Sequence, residues 1–372
     1  MSYPKVPVGE LVSLRQGFAI NKNTKHHMAD EPTALPLLRI ADMKDKVQNV
    51  FVKDTIPGHF IAKPEDIIYT RTGQVGLVFT DQYGVIHNNC FTVTPNDAEI
   101  LDRYYLYYVL QSEDFYSAAN NLASGAAQPD LPHGAFRSIE IPVPPLKSQQ
   151  RIAGILKGYD DLIENNQKQI KLLEEAAQRL YKEWFVGLRF PGYETVPIMD
   201  GIPEGWSNPV VTDLLEIKYG KDHKTLENGS IPVYGSGGVM RKVNKILHSG
   251  ESVLIPRKGS LNNILLVSGD FWTIDTMFFS IPRRPNVAKY VYLFLSGVDM
   301  YAMNIGAAVP SMTVKILDGM KLLCPAPEIL EQFEKVVGPY FSMIESLKKK
   351  NDSLADARDL LLPKLMSGEI EV

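Results

Sequence analysis

The chain is poor in the features that would give quick answers. It has two cysteines in 372 residues, Cys90 and Cys324. Their rarity and wide separation make them reduced, buried small hydrophobes of a cytoplasmic protein. No apolar run approaches the roughly 18 residues that a bilayer-spanning helix needs. The first residues, MSYPKVPVGELVSL, show no charged-then-apolar leader, so no secretory signal is expected and no membrane partner. The net charge of -4 lacks the basic excess of a freestanding nucleic-acid binder. Local basic patches, or a partner that supplies positive surface, remain compatible with it.

Catalytic patterns are missing too. There is no phosphate-cradling G-x-x-x-x-G-K-[ST], and no G-x-G-x-x-G follows a strand. GSGG at 235–238 follows the strand-like IPVY, but no helix pattern opens behind it, so it reads as a turn. Asn208–Pro209 is followed by two valines, so the Asn-Pro-Pro-aromatic signature of adenine methyltransferases is absent. Glu216-Ile217-Lys218 has the E-x-K form of a metal-dependent nuclease. It lies in an alternating apolar run with only Asp213 as a nearby acid, and reads as chance. His26–His27 has no companion ligands for zinc, and no nucleophile elbow surrounds any serine. No catalytic site and no metal site are expected.

What is present is a repeat. From Ile152 the apolar positions of the first long segment alternate by four and three: Ile152, Leu156, Tyr159, Ile163, Asn166, Ile170, Leu173, Ala177, Leu180 and Trp184. Such a heptad seam predicts a coiled-coil helix. Displaced by 181 residues, the seam returns as Phe333, Val337, Tyr340, Ile344, Leu347, Asn351, Leu354, Arg358, Leu361 and Leu365. Each seam must be buried, and the simplest partner for one copy is the other, antiparallel in the same chain. Asn166 and Asn351 either fix register within the seam or lie near the bundle surface. Arg358 would cover apolar surface with its stem while its head reaches water. Gly187 and Pro191 should stop the first helix. Gly338–Pro339 should break the second early, and Pro363 should kink or end it, leaving 340–362 continuous.

The segments outside the helices repeat as well. GELVSLRQG (9–17) matches TDLLEIKYG (212–220). DIIYTRTG (66–73) matches SVLIPRKG (252–259), each a buried strand entering a basic-plus-glycine turn. CFTVTP (90–95) matches MFFSIP (277–282), and RYYLYYVLQ (103–111) matches KYVYLFLSG (289–297), a short helix. SGAAQPDL (124–131) matches IGAAVPSM (305–312), a loop leading into a last strand, IEIPVPP (139–145) or MKLLCPAP (320–327). The fold class that follows is α+β: two pseudo-repeated mixed α/β domains separated by two long antiparallel coiled-coil helices. The expected boundaries are 1–147 for the first domain, 148–190 for the first spacer helix, 191–327 for the second domain and 328–372 for the second helix.

Several stretches resemble the specificity subunit of a type I restriction–modification enzyme. They are P-P-L-x-x-Q-x-x-I at 144–152, the C-terminal LLLPKLMSGEIEV, IPEGW at 202–206, and the strand–turn segments around Arg71 and Arg257. The second helix departs, with Pro-Ala-Pro where the first has Pro-Pro-Leu. The resemblance implies that each globular unit is a target recognition domain reading one half of a bipartite double-stranded DNA sequence. The helices would set the spacing and dock DNA methyltransferase (modification) subunits. S-adenosylmethionine would sit on those subunits, and ATP and magnesium on a motor–nuclease (restriction) subunit, with no cofactor bound directly by this chain. A 28-residue helix spans about 42 Å at 1.5 Å per residue, compatible with the roughly 34 Å between DNA half-sites one turn apart.

Turns that follow strands are the natural reach into a groove. The candidate DNA-binding residues are Arg71, Thr72 and Gln74 in the first domain, and Arg257, Lys258, Asn262 and Asn263 in the second. Lys22, Lys25, Lys221, Lys224, Arg241 and Lys242 are candidates for phosphate contact. The competing reading is a protein-only two-domain adaptor without DNA recognition. An enzyme with an unrecognised site is a third reading, disfavoured by the absent chemistry.

Overall fold

The computed structural model describes residues 3–125, 127–304 and 310–372. They fall into two units. One comprises Met1–Asn165 with Lys350–Val372, the other Asn166–Lys349.

In the first unit a short helix α1 (Val8–Leu11) runs into strand β1 (Val12–Gln16). The following elements are β2 (Leu37–Leu38), helix α2 (Ile40–Asp45), β3 (Ile61–Ala62), β4 (Ile67–Thr70), β5 (Val78–Phe79), β6 (Gly84–Ile86) and β7 (Cys90–Pro95). The main sheet has the order β1-β7-β4-β5 and is antiparallel throughout. Its centre is where the sequence is continuously apolar: all of Ile67–Thr70 and the first four residues of Cys90–Pro95 are buried. Such runs belong in strands covered on both faces. One face carries Tyr69 and Phe91, which pack with Phe115 and Phe136 beneath helices α3 (Arg103–Gln111) and α4 (Glu113–Leu122). The other carries Ile68 and Cys90, which meet Leu38, Ala62 and Ile86 of a second sheet, β2-β6-β3. Both helices start on side-chain caps: Asp102 accepts from the Tyr105 N–H and Ser112 from the Phe115 N–H.

The second unit repeats this plan. Helix α5 (Val211–Leu214) enters β8 (Leu215–Tyr219), followed by β9 (Asn228–Gly235), β10 (Gly238–Val243), β11 (His248–Ser249), β12 (Ser252–Pro256), β13 (Leu265–Val267), β14 (Asp270–Thr273), β15 (Met277–Pro282) and helix α6 (Ala288–Ser296). Its main sheet is β8-β15-β12-β13 and its second sheet β10-β9-β14-β11. In both second sheets the first and third partners are the same: β2 and β9 run parallel to β6 and β14, β3 and β11 antiparallel. Gly17 and Gly220 end β1 and β8 where the backbone crosses its neighbour. A Cβ there would stand 2.2 Å from the His87 carbonyl and 2.0 Å from that of Ile274, so only glycine fits. The units differ between the first and third of those strands. The first has helix α2 and then a short strand, Phe51–Val52, bridged antiparallel to Pro36; the second has the hairpin strand β10.

The segment 320–327 departs from the expected last strand. It forms single bridges, Ser207 to Cys324 and Val210 to Lys321, and no ladder. Pro209 and Pro325 lack the donors a continuous ladder needs. Ala126 and residues 305–309, within the paired GAA loops, lie outside the described residues.

The first long helix runs Leu146–Tyr181 and closes in a π turn, Lys182–Val186. The wider turn directs two consecutive aromatics, Trp184 and Phe185, into the core. The helix stops at Gly187, although the left-handed residue is Leu188 (φ 55). The second helix, Pro327–Ser367, is continuous through Gly338–Pro339 and Pro363, correcting the expected break and early end. Gly338 has no Cβ to clash with the proline ring. Residues Lys335, Pro339, Asp359 and Pro363 are exposed, so the carbonyls that lose their donors lie on the side where water replaces them.

The seam positions of both helices are all buried or half-buried. In the first unit Ile152 and Leu156 share a core with Leu365 and Met366. In the second, Ile170 packs with Ile344 and Leu347, and Trp184 and Phe185 with Phe333. The helices are therefore antiparallel within each unit. Asn166 is buried (3% exposed) and Asn351 half-buried. Arg358 differs from expectation: its Nη1 donates to Asp160 Oδ1 at 2.5 Å, and Asp160 Oδ2 accepts from the Tyr108 hydroxyl at 2.6 Å. A partly buried guanidinium head needs that carboxylate.

Candidate nucleic-acid interface

The first unit presents a set of loops beyond the ends of β1 and β4. Arg71, directly after β4, is fixed through its backbone: its N–H donates to the Asn89 carbonyl and its own carbonyl accepts from the Leu131 N–H. Its side chain is fixed as well. Nε and Nη2 donate to the two Asp130 oxygens at 3.1 and 2.7 Å, and Nη1 donates to Gln16 Oε1 at 3.3 Å. Thr72 Oγ1 donates to Asp130 Oδ1 at 2.5 Å. The hydrogen bonds from Arg71, helped by Thr72 and opposed by desolvation, hold the Asp130 carboxyl below its usual range. A bidentate arginine so engaged has few donors left for a guanine edge. Arg71 and Thr72 hold the 124–131 loop in place, and Gln74 alone of this trio is exposed. Asp130 and Gln16 were not singled out from sequence. An acid in the loop matched to 305–312 was the available signal for Asp130.

The second unit places Arg257 identically in the backbone, donating to the Thr276 carbonyl and accepting from the Met312 N–H. Its side chain is held differently. Nη1 donates to the Asp275 carbonyl at 2.7 Å, and the guanidinium lies over the rings of Tyr219 (4.9 Å) and Phe278 (5.2 Å). Tyr219 occupies the place of Gln16, since both pair across the sheet with an aromatic residue, Phe278 or Phe91. Ser311 stands where the first unit has Asp130.

Asn262 and Asn263 are braces. Asn262 Nδ2 donates to Asp299 Oδ1 and its Oδ1 accepts from the Met300 N–H, while Asn263 Nδ2 donates to the Ser236 carbonyl. Tyr301 donates its hydroxyl to the Gly259 carbonyl. The 235–238 turn, the 257–263 loop and the 299–301 segment are thus tied together. Arg241 is also engaged, through Nη2 to the Leu226 carbonyl and Asn228 Oδ1. Six of the candidate lysines are exposed, with no side-chain hydrogen bond or ion pair among the described residues: Lys22, Lys25, Lys221, Lys224, Lys242 and Lys258. They are suited to phosphate contact.

The residues singled out as chance patterns have local roles. Glu216 pairs with Lys218 at 2.5 Å on an exposed strand, and Asp213 caps its helix by accepting from the Val210 N–H. Among the described residues no group of three His, Cys, Asp or Glu side chains is gathered as for a metal ion, and no helix is long and apolar enough to cross a membrane.

A duplicated α+β scaffold with braced, lysine-bearing loops and a pair of antiparallel helices defines a binding protein. Residues 3–175 match the family model for the type I restriction modification DNA specificity domain. The chain is 27% identical over 338 residues to the type I restriction enzyme MjaIX specificity subunit of Methanocaldococcus jannaschii, covering 82% of this chain and 78% of that protein. It is 21% identical to the HindI specificity subunit of Haemophilus influenzae, with 86% and 90% covered. The crystal structure of the type I restriction–modification S subunit from M. genitalium superposes with a TM-score of 0.61 at 19% identity, covering 98% and 96% of the two chains. The chain is similar over most of its length to type I restriction–modification specificity subunits.

Proposed function

We propose that this chain reads a bipartite DNA target, one half with each unit, and that the helix pair sets the spacing between the halves. One observation carries the reading: the same two-sheet scaffold occurs twice, with unlike side chains at equivalent positions, Asp130 and Gln16 against Ser311 and Tyr219. Matched scaffolds with different loop chemistry suit two different half-sites. The exposed lysines would hold the backbone, and Gln74 is available to a base edge. Modification subunits that methylate adenine, and a motor–nuclease subunit, would dock on the helices and units. S-adenosylmethionine, ATP and magnesium would bind those partners and not this chain. The similarity to specificity subunits favours this reading over a protein-only adaptor.

Methylation-sensitive sequencing of the host genome with and without the gene tests this. One bipartite adenine-methylation motif should vanish with the gene. Replacing residues 1–147 by the corresponding domain of a relative should change only one half of that motif. A swap that alters both halves, or a motif that is a perfect palindrome, refutes independent reading by unlike units.

A further inference from the structure

The tight turn of the β9–β10 hairpin has no counterpart in the first unit, where helix α2 intervenes before the short antiparallel strand Phe51–Val52, and its tip has an unusual surface. We propose that this tip enters the DNA major groove and reads thymine, with Val239 and Met240 packing against C5-methyl groups. The proposal rests on the DNA-recognition reading above and adds the residues that discriminate.

Successive side chains on a regular strand point to opposite faces. Val239 and Met240 are neighbours, yet they are 57% and 56% exposed. The ladder explains how. Val233 pairs with Arg241 while Tyr234 pairs with Val239, so Met240 is an extra residue, a β-bulge. Bulges re-aim side chains in this way. Two glycines shape the tip. Gly238 has φ +112, and a Cβ at Gly235 would stand 2.7 Å from Met240 Sδ.

The tip is also braced. Asn263 Nδ2 donates to the Ser236 carbonyl at 2.8 Å, and a Cβ at Gly259 would lie 2.5 Å from Ser236 Oγ. The loop carrying Lys258 therefore stands directly against the turn. On the other side, the Lys221 N–H donates to the Thr273 carbonyl at the end of β14. Lys242 follows the tip on β10 itself. Two acids of these loops are exposed but tied to their own loops: Asp222 accepts from the Lys224 N–H, and Asp299 from Asn262 and the Tyr301 N–H. The result is a rigid apolar tip rimmed by exposed lysines, on an edge strand that would otherwise invite self-association. A polyanion with apolar features inside its groove fits that surface. The major groove admits a two-stranded ribbon, and its apolar feature is the thymine methyl.

The test uses the full chain assembled with its modification subunits and duplexes carrying the mapped target. Each thymine is replaced in turn by deoxyuridine, which lacks only the methyl. Fluorescence anisotropy should show about a fourfold affinity loss per contacted methyl, confined to the half-site that the 1–147 swap leaves unchanged. Val239→Ala or Met240→Ala should remove that sensitivity at the corresponding position. Both residues are exposed, so the melting transition should not move. Specific binding that is indifferent to every deoxyuridine, or equally sensitive in both variants, overturns the proposal while leaving DNA recognition standing. Variants that lose the modification subunits and keep the deoxyuridine sensitivity would make the tip a protein interface. If the assembled wild type binds no duplex specifically, both readings fall.

Discussion

Gln149 offers the sharpest test of how the first unit is held to its helix. It is fully buried, three residues into the first long helix. Its Oε1 accepts from the Asp102 N–H at 2.8 Å, and its Nε2 donates to the carbonyls of Ile100 (2.9 Å) and Pro144 (2.8 Å). This one amide ties together the cap of α3, the loop before it and the start of the long helix. Gln149→Leu keeps the volume and strands all three partners. A buried orphan costs about 1–3 kcal/mol. Ile100 is itself exposed, so its carbonyl belongs at the low end, and the whole change should destabilise by about 2–4 kcal/mol. That is a large share of the roughly 5–15 kcal/mol that holds a domain folded. The equivalent place in the second unit is occupied by the buried Leu330.

Urea unfolding followed by far-UV circular dichroism measures the loss. All three tryptophans, Trp184, Trp206 and Trp272, lie in the second unit. A fluorescence midpoint that holds while the circular dichroism midpoint falls assigns the damage to the first unit. The exposed Gln150→Leu is the control, expected within about 0.5 kcal/mol of wild type. A Gln149→Leu protein within about 1 kcal/mol of that control would refute the reasoning.

Three further outcomes follow from side-chain partners. Arg358→Met should cost about 1–3 kcal/mol by stripping Asp160 of its charged partner, and adding Asp160→Asn should recover part of it; calorimetry of the single and double variants decides. Asp42 is 4% exposed and accepts from Arg39 at 2.5 and 2.9 Å and from Asn49 at 3.1 Å. The Arg39 hydrogen bonds hold its carboxyl below the usual range against desolvation, with Asn49 helping. Its contribution is therefore complete above about pH 4 and is lost as pH falls through the depressed value. Urea midpoints between pH 7 and pH 3 should fall more steeply for wild type than for Asp42→Asn, and equal slopes would remove Asp42 from the account. Finally, Asp130→Asn should weaken the first unit's half-site about as much as Arg71→Ala, since both release the 124–131 loop. If Arg71→Ala weakens DNA binding while Asp130→Asn strengthens it, Arg71 reads DNA directly.

The seam was legible because burial imposes a period. Both helices show it at positions such as Leu156 and Val337, and the structure buries those side chains. The strands at 67–70 and 90–95 were legible for a related reason, since a strand covered on both faces is apolar throughout. The second sheets were not. Leu37–Leu38 and Ile61–Ala62 are two-residue strands, too short to carry a pattern. Pro339 misled because the rule against proline counts the lost bond without asking whether the orphan faces water. The loop side chains misled in a different way. Arg71, Asn262 and Asn263 have the chemistry of base readers, and whether they read bases depends on partners far away in sequence. Asp130 lies 59 residues from Arg71 and Asp299 lies 37 from Asn262. Nothing local announces such pairs.

The same long-range partners bear on why the two units differ where they do. The backbone around Arg71 and Arg257 is held by equivalent bonds, to Asn89 and Leu131 in one unit and to Thr276 and Met312 in the other. These bonds use no side chains, so they constrain the fold and not the chemistry. The side chains around each guanidinium differ: a carboxylate and an amide in the first unit, two aromatic rings in the second, where a backbone carbonyl, that of Asp275, is the hydrogen-bond acceptor. The stretch between the first and third strands of the second sheet differs further, with a helix in one unit and a bulged hairpin in the other. The side chains that change, Gln16 to Tyr219 and Asp130 to Ser311, sit outside the central strands, whose buried runs cannot change without loss of packing. A scaffold fixed by backbone bonds and a dry sheet core leaves its loops free to vary. Two copies can then come to recognise unlike sequences without either copy giving up its fold.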